Sequence, residues 1–147
     1  MSAVHSPERK RRYVLDANAL VALFEDRPGA AAKVERLLVQ ALSEEEPLLM
    51  SAVSWGEVFY VAWRRHGETS AREVESRLKE MPIAVIAADR DRASRAAALK
   101  QKHRLSYADA FAAELALQSG AWLVTADPEF SKVGKAISVY PLPRHEK

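Results

Sequence analysis

The sequence predicts an α/β protein: a short central parallel sheet between two layers of helices. Three observations lead there. Short apolar runs of strand-forming residues alternate with segments of helical periodicity. Those runs are almost wholly apolar, as parallel strands covered on both faces must be. No repeat, low-complexity tract or linker interrupts the 147 residues, a length that suits one domain with a real core.

The elements follow in order. Residues 13–16 read as a strand and 17–25 as a helix, broken by Pro28-Gly29. Helix resumes over 30–43, with Val34, Leu37, Leu38 and Leu42 on one face. Residues 47–51 are strand-like. Residues 53–66 are helical, with Trp55, Val58, Phe59, Ala62 and Trp63 at core spacing. A further helix over 70–80 is stopped by Pro82, and the β-branched run 83–87 is a strand. Helices at 89–104 and 107–119 come next, then a strand at 121–125 after Gly120, a helix-ending signal. A turn of helix after Pro128 and a last strand near 136–140 complete the chain.

Composition excludes several classes. A hydrophobic fraction of 48% argues against disorder. No apolar run approaches the roughly 20 residues of a membrane span, so no membrane partner is expected. The basic start, MSAVHSPERKRR, lacks an apolar region after it and reads as an N-terminal extension over 1–12, ahead of a single domain at 13–147. Zero cysteines remove disulfides and thiolate metal sites, leaving the cytoplasm as the expected compartment. The four histidines have no ligand spacing and read as surface residues. Gly-rich phosphate loops and G-x-S-x-G elbows are absent.

Four acids remain. Asp16 ends the first strand, at the carboxyl edge where open α/β sheets bind ligands. Each acid has an ordinary explanation: Asp16 as an N-cap, Glu57 and Asp109 in the capping-box spacings Ser54–Glu57 and Ser106–Asp109, and Asp127 opening a helix before Pro128. Capping does not require them to converge, yet the topology puts all four near one edge. Carboxylates gathered there repel unless a divalent cation with a taste for oxygen, Mg²⁺ or Mn²⁺, resolves the conflict. Asp109 also heads a stripe of Ala112, Ala113 and Ala116, which turns it inward, where a carboxylate needs a partner. Asp89 reads as a helix cap only.

Charge is uneven although the net value is +2. Arg90, Arg92, Arg95, Lys100, Lys102 and Arg104 lie within 90–104, opposed only by Asp91. Such a stripe either solvates a helix face or binds phosphate backbone.

The acids and their surroundings resemble the PIN-domain ribonucleases, and among them the VapC toxins of toxin–antitoxin pairs. "VLDANALVALF", "SAVSWGEVFYVAWR", "LSYADAFAAELA" and "WLVTADPEFSKV" resemble the family's motifs in order, with acids at Asp16, Glu57, Asp109 and Asp127. The family often has Thr or Ser after the first acid; here Ala17 stands there and Asn18 is the nearest polar side chain. The resemblance implies a PIN-like three-layer fold and an endoribonuclease using Mg²⁺ or Mn²⁺. It implies Asp16 and Asp109 as direct ligands, with Glu57 and Asp127 acting directly or through water. Thr125 and Asn18 become supporting residues. It implies an RNA substrate, a homodimer and a cognate antitoxin. Two other readings keep the fold: an RNA-processing PIN nuclease without an antitoxin, and a non-catalytic RNA-binding domain. A haloacid-dehalogenase phosphatase would want a second acid where Asn18 stands.

Overall fold

The structure, a computed structural model, describes residues 11–144. Most of the basic extension therefore lies outside the described residues, as do His5 and His145. Its last two members are accounted for. The Arg11 guanidinium lies 4.3 Å from the centre of the Trp122 ring, and Arg12 reaches Glu46 at 3.9 Å.

The chain runs β1 (Tyr13–Leu15), α1 (Ala17–Phe24), α2 (Ala30–Glu44), β2 (Leu48–Ser51), α3 (Ala52–Glu80), β3 (Ile83–Ile86), α4 (Arg90–His103), α5 (Tyr107–Ser119) and β4 (Trp122–Thr125). A 3-10 helix (Pro128–Ala136) and β5 (Val139–Pro141) close it. The five strands form one sheet in the order β3-β2-β1-β4-β5, parallel throughout. Val14 of β1 is level with Leu49 on one side and Leu123 on the other. A three-residue strand survives at the centre because it is paired on both sides and fully buried.

Alternation along β1 divides the core. Tyr13 and Leu15 face a cluster built with Leu20, Val34, Leu37, Met50, Val58 and Leu78 from α1, α2, β2 and α3. Val14 faces the other side, where α4, α5 and the 3-10 helix contribute Ala96, Phe111, Leu115 and Phe130. The Ala112, Ala113 and Ala116 stripe is buried there, small enough for α5 to lie close to the sheet. The expected three layers are thus present.

Several local expectations need correction. Leu42 is 63% exposed, because Ala41 takes the inward position at the end of α2. Trp63 is 41% exposed rather than core. β3 is an edge strand, with Val85 open to solvent. The two helices expected at 53–66 and 70–80 are both present, as the two parts of α3 on either side of a kink at Gly67, whose φ of 86° is left-handed. A straight helix would hold residues 59 and 72 about 20 Å apart. Instead the Arg72 guanidinium lies 5.1 Å from the Phe59 ring and 5.6 Å from Trp63. The segment after Gly67 therefore folds back on the segment before it. Among the described residues no helix is long and apolar enough to cross a membrane.

Candidate active site

Parallel strands end at one edge, and that edge collects the acids. Asp16 follows β1 directly, and Thr125 is the last residue of β4, with Asp127 two further on. Glu57 comes from the start of α3, which leaves β2 at the same edge. Asp109 sits in the first turn of α5, the helix leading into β4, so its N-terminus points back to that edge.

Asp16 is 3% exposed. One carboxylate oxygen accepts from the Ala17 N–H at 2.8 Å and the other from the Thr125 hydroxyl at 2.9 Å. The first bond goes to the helix's first N–H, whereas an N-cap side chain ordinarily serves the second or third. Asp16 is thus held more than it caps. The Thr125 hydroxyl is saturated: it donates to Asp16 and accepts from Asn18 Nδ2 at 3.1 Å and the Asp127 N–H at 3.0 Å. Asn18 Oδ1 in turn accepts from the Ala126 N–H at 3.1 Å. The expected supporting pair, Asn18 and Thr125, therefore ties the ends of β1 and β4 together beneath the acid.

The acids sense one another. Burial first, then the charge of Asp109, pushes the Asp16 carboxyl up to about 7 against the pull of Thr125 and Ala17. Burial and then Asp127 push Asp109 up to about 6, with Glu57 adding and the Ser106 hydroxyl opposing. Glu57 is raised by burial and by Asp127. Among the described residues none of the four forms an ion pair.

Capping explains some of these acids and not others. Asp109 accompanies a true cap, its N–H bonded to Ser106 Oγ at 3.1 Å, and Asp127 accepts from the Glu129 N–H at 2.9 Å. Glu57 does not. The cap of α3 is Ser51, bonded to the Val53 N–H at 3.1 Å, not Ser54 as the spacing suggested. Ser54 is inside the helix, fully buried, and its hydroxyl has no partner. Glu57 stands more than a turn into the helix with no capping duty. Asp89 caps α4 as expected, bonded to the Arg92 N–H at 2.9 Å.

The donor set suits a hard divalent cation: carboxylate oxygens only, one of them deeply buried, all facing a common edge. The set is not a closed cage, since no group of three or more His, Asp or Glu among the described residues is drawn tightly round one point.

The basic stripe divides. Arg92 Nη1 reaches both oxygens of Glu114 at 3.1 and 3.2 Å, and Arg95 Nε donates to Glu114 Oε2 at 2.8 Å. Lys100 donates to the Leu105 carbonyl at 3.1 Å, tying α4 to the turn that follows it. Those three have structural duties that the sequence did not disclose. Arg90 extends into solvent beside Asp91. Lys102 and Arg104 are exposed at the end of α4, where His103 Nδ1 lies 3.1 Å from the Lys132 carbonyl in the 3-10 helix that Asp127 opens. That end of α4 leads into α5, whose first turn carries Asp109. Glu114 itself was missed. In an alanine-rich helix it reads as a solvent-facing acid, and its partners lie 19 and 22 residues upstream.

Comparisons with known proteins fit this geometry. The PIN domain family matches residues 13–136. A Ribonuclease VapC of Mycolicibacterium smegmatis is 35% identical over 114 residues, covering 73% of this chain and 84% of its own length. The structure of Mycobacterium tuberculosis VapC20, described as a sarcin-ricin loop cleaving toxin, superposes with a TM-score of 0.69 at 18% identity, over 89% of this chain and 99% of that one. A toxin–antitoxin complex from Klebsiella pneumoniae gives 0.61 at 26% identity, over 88% and 98%.

Proposed function

Because the chain belongs to the PIN-domain family, we propose that it is an endoribonuclease and the toxin of a type II toxin–antitoxin pair. One observation of its own carries the reading. Four carboxylates share one sheet edge, and among the described residues no cation answers them there, although the same chain supplies two arginines to Glu114.

Asp16, Glu57, Asp109 and Asp127 would hold Mg²⁺ or Mn²⁺, which when bound supplies the charge that neutralises the scissile phosphate and acidifies water. Thr125 and the Ala17 N–H fix both oxygens of Asp16, so this carboxylate is oriented before substrate arrives. Asp109 is presented from the first turn of α5, where a helix N-terminus tolerates negative charge. Glu57 has no side-chain donor among the described residues, and its raised pKa suits a base. It would take the proton of the attacking water as the water oxygen bonds to phosphorus, while the opposite P–O bond to ribose breaks and the leaving ribose oxygen takes a proton from solvent water. Lys102 and Arg104 hold neighbouring phosphates without reading sequence.

The substrate is RNA in the cytoplasm, and the protein acts as a homodimer restrained by a cognate antitoxin. Purified protein incubated with RNA in Mg²⁺, in Mn²⁺ and in EDTA tests the chemistry. Cleavage with either metal and none in EDTA is expected; metal-independent cleavage, or none at all, sinks the reading. Expression should arrest growth, and co-expression of the neighbouring reading frame should relieve the arrest. Sedimentation of the purified protein reads the dimer.

A further inference from the structure

We propose that Tyr60 is a stacking platform for the RNA base next to the scissile phosphate, an inference resting on the ribonuclease reading above. Tyr60 is three residues from Glu57 and Arg64 is seven, so the three lie along one stripe of α3. Helical side chains lean toward the helix N-terminus, and the N-terminus of α3 is at the acidic edge. Tyr60 thus leans toward the turn that carries Glu57. Arg64 leans the same way and covers the ring, its guanidinium 5.6 Å from the ring centre. Even so the residue is 60% exposed.

Other exposed aromatics are already engaged. Trp63 meets the edge of Phe59 at 5.7 Å and lies under Arg72, and Tyr107 stacks on Phe111 at 5.5 Å. Among the described residues Tyr60 has only Arg64, a cation. A ring with a guanidinium on one face and solvent on the other offers a base a π-surface and its phosphate a positive charge. That combination takes single-stranded RNA without choosing its sequence. It complements the acids, which can hold a cation but repel phosphate.

The test uses a short single-stranded oligoribonucleotide with one cleavage site, and copies with an abasic ribose on either side of it. Tyr60→Leu removes the ring, and Tyr60→Phe keeps it. Losing one stacked base costs on the order of ten-fold in binding. Tyr60→Leu should raise KM by about that factor with kcat little changed, while Tyr60→Phe behaves as wild type. One abasic copy should carry the same penalty in the wild type and none in Tyr60→Leu, since the partner is already gone. A wild-type KM in Tyr60→Leu, or an equal abasic penalty in both proteins, overturns the proposal. So does loss of the dimer in Tyr60→Leu by sedimentation, which makes this face a contact between copies. If the wild type cuts no RNA, the ribonuclease reading has failed separately. Anisotropy with a 2′-O-methyl copy of the oligonucleotide then reads the stacking, and equal affinity in both proteins rejects it.

Discussion

Asp16 and Glu114 are both buried carboxylates, 3% and 1% exposed, and the chain treats them in opposite ways. Glu114 receives two arginines from α4 and becomes a clamp between α4 and α5. Asp16 receives a hydroxyl and a backbone N–H, and its nearest charges are other acids. Desolvation costs both of them, but only Glu114 has a cation supplied by the fold. Glu114, with cations from the chain, is architecture; Asp16, left among acids, is the one proposed to take a cation from outside.

The most drastic way to test that contrast is Asp16→Asn. Losing a supporting residue at a metal site costs about 10–100-fold, so if Asp16 is a direct ligand as proposed, its loss should lower cleavage by more than about 100-fold. Metal-free stability should move the other way. A carboxyl raised from 3.8 to about 7 binds more protons folded than unfolded, so its stabilising contribution is complete below about pH 4 and is lost as pH rises through 7. Asp109, raised to about 6, adds in the same direction. Thermal melts without metal should therefore show the wild type weakening from pH 4 to pH 8, and Asp16→Asn weakening less. At pH 8 the variant should gain up to about 4 kcal/mol. Wild-type cleavage by Asp16→Asn would make the acid a cap after all.

Glu114→Ala should give the contrary pattern. The two arginines lose their buried partner but can reach water, so unfolding should become easier by roughly 2–3 kcal/mol, somewhat less than for a fully buried pair. A melt depressed by about 5–10 °C, with metal affinity retained, is the expected signature. An unchanged melting temperature would remove Glu114 from the framework.

Much of this contrast could be anticipated from sequence, but only on one side. Asp16 announced itself because a short apolar strand ended on it, and the strand–helix alternation said which edge that was. Asn18 and Thr125 were visible as the polar residues nearest two of the acids. Glu114 had no such marker. Its partners are on another helix, and long-range ion pairs leave no local pattern. The same reason hid the split within the basic stripe, since spacing along α4 does not say which arginines α5 will claim. The cap of α3 was misplaced because Ser51 and Ser54 both precede a helical run, and only the backbone decides between them. Gly67 was passed over although two helices were expected around it.

Thr125→Val gives a smaller effect that sharpens the comparison. It removes the donor from Asp16 and the acceptor from Asn18 and the Asp127 N–H. A loss of about 1–2 kcal/mol in stability is expected. Because Thr125 holds the Asp16 pKa down, the acid limb of the pH–rate profile should move to higher pH. That limb belongs to the coupled acids together, so its displacement, not its position, is the measurement. An unmoved limb would disconnect Thr125 from the site.

The smallest effect concerns the basic residues that have no side-chain partner among the described residues. Lys102→Gln with Arg104→Gln should leave melting unchanged and flatten the salt dependence of single-strand binding by roughly 0.7 per lost contact. Arg92→Gln with Arg95→Gln should lower the melting temperature instead, because it strips Glu114. Reversed outcomes would exchange the roles of the two ends of α4.

The strand order also sets a timetable. β1 is the first element of the described residues, yet its second neighbour is β4, and Asp16 is held by Thr125, 109 residues later. A growing chain that has not yet released β4 carries Asp16, Glu57 and Asp109 but lacks the hydroxyl, Asp127 and one side of the central strand. Closure of so long a loop comes late in folding. The segment from β1 to α5 alone therefore holds three of the acids but not the fourth, and the edge is completed only when β4 pairs with β1.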